Sequence, residues 1–236
     1  DWDYLTKALP VDGRVQLRKV TSQYGVLVVA GPNSRSLLQR LTDRDLSNEA
    51  FPWLSGQPVN IGAADAHAIR VNFVGELGWE LHHPIETQNY IFDRLFEAGE
   101  EFDLKPFGIR AMDSLRLEKS YRLIPRELSV EYAALESGLE RFVSWDKDDF
   151  VGKAGLDAWR NRGFRWQFVT LEISGSNDVD ARGSEPIYDG AELIGRCTSG
   201  GYGWRVGKSL ALGMVHPDRA GVGSQWEVEI LGERFS

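Results

Sequence analysis

The chain has 236 residues, of which 42% are hydrophobic and 11% aromatic, enough for one large domain or two ordinary domains with a substantial core. Its net charge of −8 and pI near 5.1 argue against a general nucleic-acid-binding protein, which needs a basic surface, and leave a local basic pocket open. The single cysteine, Cys197, excludes disulfides within the chain and a multi-cysteine zinc site, and no apolar run approaches the roughly 20 residues that cross a bilayer.

The spacing of apolar residues predicts a mixed first part and an all-β second part. Strands are predicted at residues 15–21, 25–30, 67–73 and 79–81. Helices are predicted after the turn at 31–34, after Thr87, and at 109–120 and 153–161, with Ile109, Met112 and Leu115 facing inward in the third of these. Beyond residue 165 the helical period stops, and strands are predicted at 168–173, 192–198, 209–215 and 226–231. The fold class is therefore α+β at residues 1–162, followed by an all-β, barrel-like domain at residues 163–236.

Residues 199–209 read SGGYGWRVGKS and end like a phosphate-binding P-loop. The P-loop pattern requires a glycine at position 202, where this chain has Tyr202, and a helix after Ser209, where this chain is apolar and strand-like. We predict that these glycines serve a tight connection between two strands instead.

Two other kinds of site are not supported by the residue pattern. His82 and His83 are adjacent, and adjacent residues of a strand point to opposite faces, so they are poorly placed to hold one metal ion. The four histidines show no H-E-x-x-H spacing, and no G-x-S-x-G elbow presents a hydrolase nucleophile. We predict no metal site.

Residues 75–81, GELGWEL, place Glu76 and Glu80 around a turn bounded by glycines. If Glu80 points inward it needs a partner, because an unpaired buried carboxylate is costly. The partner can be a cation such as Arg116, or a ligand that presents two parallel N–H donors to the carboxylate. The residues alone favour the salt bridge and leave the ligand open.

Four segments resemble, in order and spacing, signatures of the tetrahydrofolate-dependent aminomethyltransferase family, which has the glycine cleavage T-protein fold. They are GELGWEL at 75–81, AMDSLRLE at 111–118, KDDFVGK at 147–153 and GRCTSGG at 195–201. Residues 75–81 and 132–139 look closest to one branch, the folate-binding C-terminal halves of dimethylglycine and sarcosine dehydrogenases. The resemblance covers nearly the whole chain.

This resemblance implies tetrahydrofolate as the cofactor and a small N-methyl amine, or its iminium product, as the substrate. In that branch a flavin domain, holding FAD, precedes the folate-binding half, so we expect this chain to be an N-terminally truncated piece of a larger enzyme. The implied location is the bacterial cytoplasm or the mitochondrial matrix, and no nucleic-acid or membrane partner is implied.

The resemblance implies ligand-binding roles for four residues. Glu80 matches the glutamate that recognises the pterin, Arg116 is expected near the benzoyl-glutamate end, and Phe142 is expected to pack against the ligand. Phe73 stands where close relatives usually have tyrosine, which removes one hydroxyl but keeps a ring. The family's catalytic aspartate lies upstream of the matched region, so no catalytic residue is assigned and the isolated chain is expected to lack that aspartate.

Two alternatives remain. One is a stand-alone aminomethyltransferase or a folate-dependent demethylase. The other is a non-catalytic protein, either folate-binding and regulatory or a domain that only docks a flavin domain. The regulatory branch carries a cysteine where this chain has Asp149, which disfavours it.

Overall fold

The computed structural model describes residues 1–176 and 178–236 and divides into two compact units. The first unit comprises Asp1–Asn72 and Glu76–Pro106, and the second comprises Phe73–Gly75 and Phe107–Ser236. The boundary between residues 162 and 163, which separates a mixed region from an all-β region, stays a prediction.

The first unit is built on a four-stranded antiparallel sheet with strand order β1-β4-β3-β2. Its strands are β1 Tyr24–Ala30, β2 Gly56–Ile61, β3 Ala64–Ile69 and β4 Gly78–Pro84. Its helices are α1 Trp2–Lys7, α2 Ser34–Gln39 and α3 Gln88–Gly99.

The core of the first unit lies on one face of this sheet. Trp79 and Leu81 of β4 pack there with Phe51 and with residues of the helices. Ile91 and Leu95 of α3 lie four residues apart, on one side of the helix, and both are buried in this core. The Phe51 and Trp79 rings meet edge to face at 6.3 Å. The helix predicted after residues 31–34 is confirmed as α2, which contributes Leu37 and Leu38 to the same core.

The second unit contains a six-stranded antiparallel sheet with strand order β10-β9-β6-β7-β8-β5. The strands are β5 Gln167–Ile173, β6 Pro186–Asp189, β7 Glu192–Gly203, β8 Lys208–Val215, β9 Glu227–Ile230 and β10 Glu233–Phe235. Helix α4 Ile109–Glu118 packs against β7, and α5 Lys153–Arg162 has no buried residue.

The predicted strand connection at residues 199–209 is confirmed. Strands β7 and β8 form a hairpin that closes at the Gly203–Lys208 pair, and Gly207 adopts a positive φ of 70° in its turn. The amides of the turn are taken by side chains of α4: Arg205 donates to Glu118 Oε1 at 2.8 Å, and Trp204 donates to Ser114 Oγ at 3.3 Å. The turn therefore anchors a helix.

Three local predictions were wrong. Residues 15–21 form no strand, because they meet no partner strand and Val15 and Val20 are exposed. The strand predicted at 67–73 ends at Ile69, so Phe73 lies in a turn. Ile109 is 76% exposed, since α4 turns the side bearing Leu117 towards β7.

The described residues also bear on membrane-spanning helices and on metal-binding clusters. None of the helices they form is long and apolar enough to cross a membrane. Across positions 1–176 and 178–236, no group of three or more His, Cys, Asp or Glu side chains is arranged to hold a metal ion.

Candidate functional site

Glu80 lies on β4, an interior strand of the first unit, and the segment before the strand fixes where β4 starts. The Asn72 side chain both donates to the Glu76 carbonyl and accepts from the Glu76 amide at 3.2 Å, which closes the turn. Gly31 then donates to the Leu77 carbonyl at 2.8 Å, just before β4 pairs with β1. Because side chains alternate along a strand, this register sends Trp79 to the core and Glu80 to the opposite face.

The face that carries Glu80 is apolar on both sides of the carboxylate. Val28 of β1 and Ile69 of β3 are the direct partners of Glu80 across the sheet. Directly opposed residues share a face and have Cβ atoms about 5 Å apart. Val28 is 43% exposed although it is aliphatic, so this face offers hydrocarbon surface that an apolar ligand can cover.

Within its own unit the partner of Glu80 is His82. Glu80 Oε2 lies 3.2 Å from His82 Nε2, and both side chains are one-third exposed. Among the described residues, Glu80 Oε1 makes no hydrogen bond, so one carboxylate oxygen is open to a further donor. His83 points the other way, as predicted for adjacent strand residues; it is fully buried, and its Nδ1 lies 2.9 Å from the Leu81 carbonyl oxygen.

Phe73 and Arg116 lie in the second unit and are linked through Tyr121. The Phe73 ring stacks on the Tyr121 ring with centroids 6.0 Å apart and planes 28° apart. The Tyr121 carbonyl accepts a hydrogen bond from Arg116 Nη1 at 3.1 Å. The position of Phe73 therefore depends on a backbone segment that Arg116 holds.

Arg116 is enclosed by groups of the second unit. Its side chain is only 2% exposed; Nε donates to Asp113 at 2.6 Å, and Nη1 lies 3.6 Å from Glu127 Oε2. The expected role of Arg116 at the tail of a folate stays a prediction. Its contacts in this unit are those of a structural arginine.

Glu127 is the centre of this network and is fully buried. It accepts hydrogen bonds from the hydroxyls of Thr198 and Ser199 on β7 and, at 2.8 Å, from the Leu123 amide. A carboxylate with this many donors is well compensated for burial. Glu127 thus joins the irregular segment after α4 to the sheet.

Phe142 lies in a short helical turn and is 58% exposed, with the Arg141 guanidinium 4.7 Å above its ring. The neighbouring cation Arg122 covers the Phe168 ring at 4.0 Å. Burial, and then the charge of Arg141, lower the pKa of Arg122 below its usual value, while the charge of Glu127 opposes this shift. The expected contact of Phe142 with a ligand stays a prediction, and its ring is open to one.

Four residues of these sites were not singled out by the sequence: Val28, Ile69, Tyr121 and Glu127. For Val28 there was a signal, because residues 26–29 are all aliphatic, and a strand that is apolar on both sides predicts that both faces become covered. Ile69 lies on a strand that also carries Asp65 and His67, so no such signal marked it. Tyr121 and Glu127 lie in an irregular segment, where spacing carries no information about partners.

Two family models match the chain. The GCVT N-terminal domain matches residues 1–147, and the glycine cleavage T-protein C-terminal barrel domain matches residues 167–236. The first model alone covers more than half of the chain.

Similar proteins carry related names. The chain is 40% identical over 222 residues to mitochondrial dimethylglycine dehydrogenase of Mus musculus, covering 94% of this chain and 25% of that protein. It is 33% identical over 230 residues to an aminomethyltransferase of Thermosynechococcus vestitus, covering 98% of this chain and 60% of that protein. It is 34% identical to mitochondrial sarcosine dehydrogenase of Mus musculus, of which it spans 24%.

The fold also has a solved counterpart. The crystal structure of the glycine cleavage system aminomethyltransferase T from Bartonella henselae superposes with a TM-score of 0.77 at 22% identity, over 90% of this chain and 57% of that one. A likeness at this identity shows the fold alone. Because the family models match nearly the whole chain, the chain belongs to the glycine cleavage T-protein family.

Proposed function

We propose that this chain is the tetrahydrofolate-binding, one-carbon-transfer module of a dehydrogenase that acts on N-methyl amines of the dimethylglycine or sarcosine type. The family membership supports a folate-dependent module, and the 40% identity to a dimethylglycine dehydrogenase, against 33% to an aminomethyltransferase, favours this branch. The chain spans about a quarter of that dehydrogenase, so the flavin chemistry would belong to another part of such a protein.

The proposal rests on the carboxylate oxygen of Glu80 that is free among the described residues, and on the hydrocarbon side chains beside it. A pterin is a flat heterocycle whose 2-amino group and adjacent ring N–H form a two-donor edge, which matches a carboxylate. Glu80 has one oxygen without a hydrogen bond among the described residues, and hydrocarbon side chains, Val28 and Ile69, on both sides. The residues present therefore fit the polar edge and the apolar faces of such a ring.

The contribution of the protein to the reaction is binding and orientation. Tetrahydrofolate, when bound, supplies the nitrogen nucleophiles that accept a one-carbon unit. The Glu80 carboxylate would fix the pterin edge, and Val28 and Ile69 would cover the ring and exclude water from it. Because binding energy already holds the folate in one orientation, less translational and rotational entropy is lost when the one-carbon unit reacts with it.

The test is folate binding by calorimetry under anaerobic conditions, with the protein and its Glu80→Gln variant. The glutamine offers one acceptor and turns an N–H₂ group towards a donor, so affinity should fall by about 2 kcal/mol, or roughly thirtyfold. The matched control is Glu76→Gln, which removes the same charge four residues away and should bind folate as the wild type does. Equal affinities for the two variants would remove Glu80 from the site.

A second candidate is a stand-alone aminomethyltransferase, favoured by the 98% of this chain that aligns with one. The two candidates differ in the amine they process. In a dimethylglycine-type enzyme, the complete natural protein should oxidise an N-methyl amine with its flavin as the electron acceptor and form methylenetetrahydrofolate when folate is present, whereas an aminomethyltransferase should require an aminomethyl donor. The mitochondrial names of several relatives support a mitochondrial matrix location, and the bacterial relative supports the cytoplasm.

A further inference from the structure

Arg35 of α2 and Arg70, which follows β3, meet at one neutral acceptor. Arg35 Nη2 donates to Asn48 Oδ1 at 2.7 Å, and Arg70 Nη2 donates to the same oxygen at 2.8 Å. An amide oxygen carries no net charge, so these two bonds position the guanidinium groups side by side and leave both positive charges uncompensated.

The pair is held in place by the core of the first unit. Both guanidinium groups lie near the face of the fully buried Trp79, at 5.9 Å for Arg35 and 5.8 Å for Arg70. Arg70 Nη1 also donates to the Phe51 carbonyl at 2.7 Å. The Nε atoms of both arginines are buried and have no hydrogen-bond partner among the described residues. The guanidinium groups of Arg35 and Arg70 are therefore held in place without a ligand.

The charge around the pair is unusual for this chain. Acidic side chains outnumber basic ones by 35 to 27, and other arginines, such as Arg40 and Arg219, pair with them. Within residues 1–176 and 178–236, no carboxylate forms an ion pair with Arg35 or Arg70. Burial, and then the charge of Arg35, lower the pKa of Arg70, which is the direction expected for two cations in contact. An anion at this place would relieve that repulsion.

We propose that Arg35 and Arg70 form a binding site for a tetrahedral oxyanion of the phosphate class. Two guanidinium forks match the paired oxygens of such a group, and a dianion balances both charges. The site lies beside Trp79, whose side chain leaves β4 on the face opposite to Glu80. It is therefore separate from the proposed pterin anchor and does not depend on it.

The experiment titrates the protein with inorganic phosphate at constant pH and ionic strength, with chloride as the balancing salt, and follows the heat of binding. The wild type should show saturable binding, and Arg35→Gln should bind at least ten times more weakly. Arg35 is the better position to change, because Arg70 also holds the Phe51 carbonyl. The matched control is Arg18→Gln, which removes one charge from an exposed residue of the same unit and should leave the affinity unchanged.

A second variant, Asn48→Asp, places a carboxylate where the shared acceptor lies. It should pair with both arginines, raise the melting temperature in phosphate-free buffer and abolish phosphate binding. The proposal is overturned if chloride alone gives the same response as phosphate, if Arg35→Gln and Arg18→Gln bind phosphate equally, or if Asn48→Asp binds it as the wild type does.

Discussion

Replacing Arg116 with methionine separates a structural role from a ligand-binding role. Methionine keeps most of the length of the side chain and removes its charge and donors. In the structure this removes a hydrogen bond to the Tyr121 carbonyl and the cation 3.6 Å from the buried Glu127 carboxylate. The bond to Asp113 is also lost, but that carboxylate is 44% exposed and regains water.

The magnitude follows from these contacts. A neutral acceptor left without its donor costs about 1 kcal/mol, and removing one partner of a buried ion pair costs about 3–5 kcal/mol. Glu127 keeps three other donors, from Leu123, Thr198 and Ser199, so the lower end applies. We expect Arg116→Met to lower the free energy of unfolding by about 3–4 kcal/mol. In a Glu127→Gln background, Arg116→Met should lower the free energy of unfolding by about 1–2 kcal/mol less, because it then leaves no buried carboxylate without its cation.

The assay is urea unfolding followed by tryptophan fluorescence, with the midpoint and slope fitted together. The control is Arg110→Met, an exposed arginine of the same helix, which should change the unfolding free energy by less than about 0.5 kcal/mol. If Arg116→Met is within 1 kcal/mol of that control and loses folate binding, the structural explanation is refuted. The ligand role implied by the family resemblance would then stand.

Two further predictions concern the second unit. Gly195→Ala would place a Cβ 2.2 Å from the Met214 carbonyl oxygen in the β7–β8 ladder, and should lower the free energy of unfolding by several kcal/mol, measured by thermal melting. Gly155→Ala lies inside α5 with nothing within 4 Å, and should raise the free energy of unfolding by about 0.5–1 kcal/mol. Equal effects of the two variants would contradict the close approach of the strands at Gly195. Burial, and then the charge of Glu185, raise the pKa of the Cys197 thiol to about 12, so a thiol reagent at pH 8 should label Cys197 only as fast as the protein unfolds. Because the folded pKa lies above the unfolded value, the stability from the neutral thiol is complete below about pH 8.5 and is lost as pH rises towards 12; rapid labelling of the folded protein would contradict this burial.

Much of the fold follows from short-range patterns. Helix α3 could be predicted because Ile91 and Leu95 recur at the helical period, and the β7–β8 connection because a P-loop requires a glycine where Tyr202 stands. The strand prediction at 15–21 was wrong because a strand-like pattern expresses only a local preference. It does not show whether a partner strand is available to pair with the segment.

The buried glutamates show why the rest could not be predicted. Glu136 accepts hydrogen bonds from the amides of Ala133, Arg165 and Trp166, and two of these donors lie about 30 residues away in sequence. Because charged residues are rarely buried, a prediction from the sequence places such a glutamate on the surface of the protein. Only the three-dimensional arrangement of donors decides that burial is tolerated. The same limit applies to Arg116, whose partners Tyr121 and Glu127 lie in an irregular segment.

Strand β4 has one further consequence, for how relatives of this chain can differ in length. Its consecutive residues serve opposite purposes: Trp79 supports the core and the arginine pair, and Glu80 faces the hydrocarbon partners Val28 and Ile69. Inserting or deleting a single residue inside this strand would exchange the two faces, exposing the tryptophan and burying the carboxylate. Homologous chains should therefore accumulate gaps before Gly78 or after Pro84, and none between them.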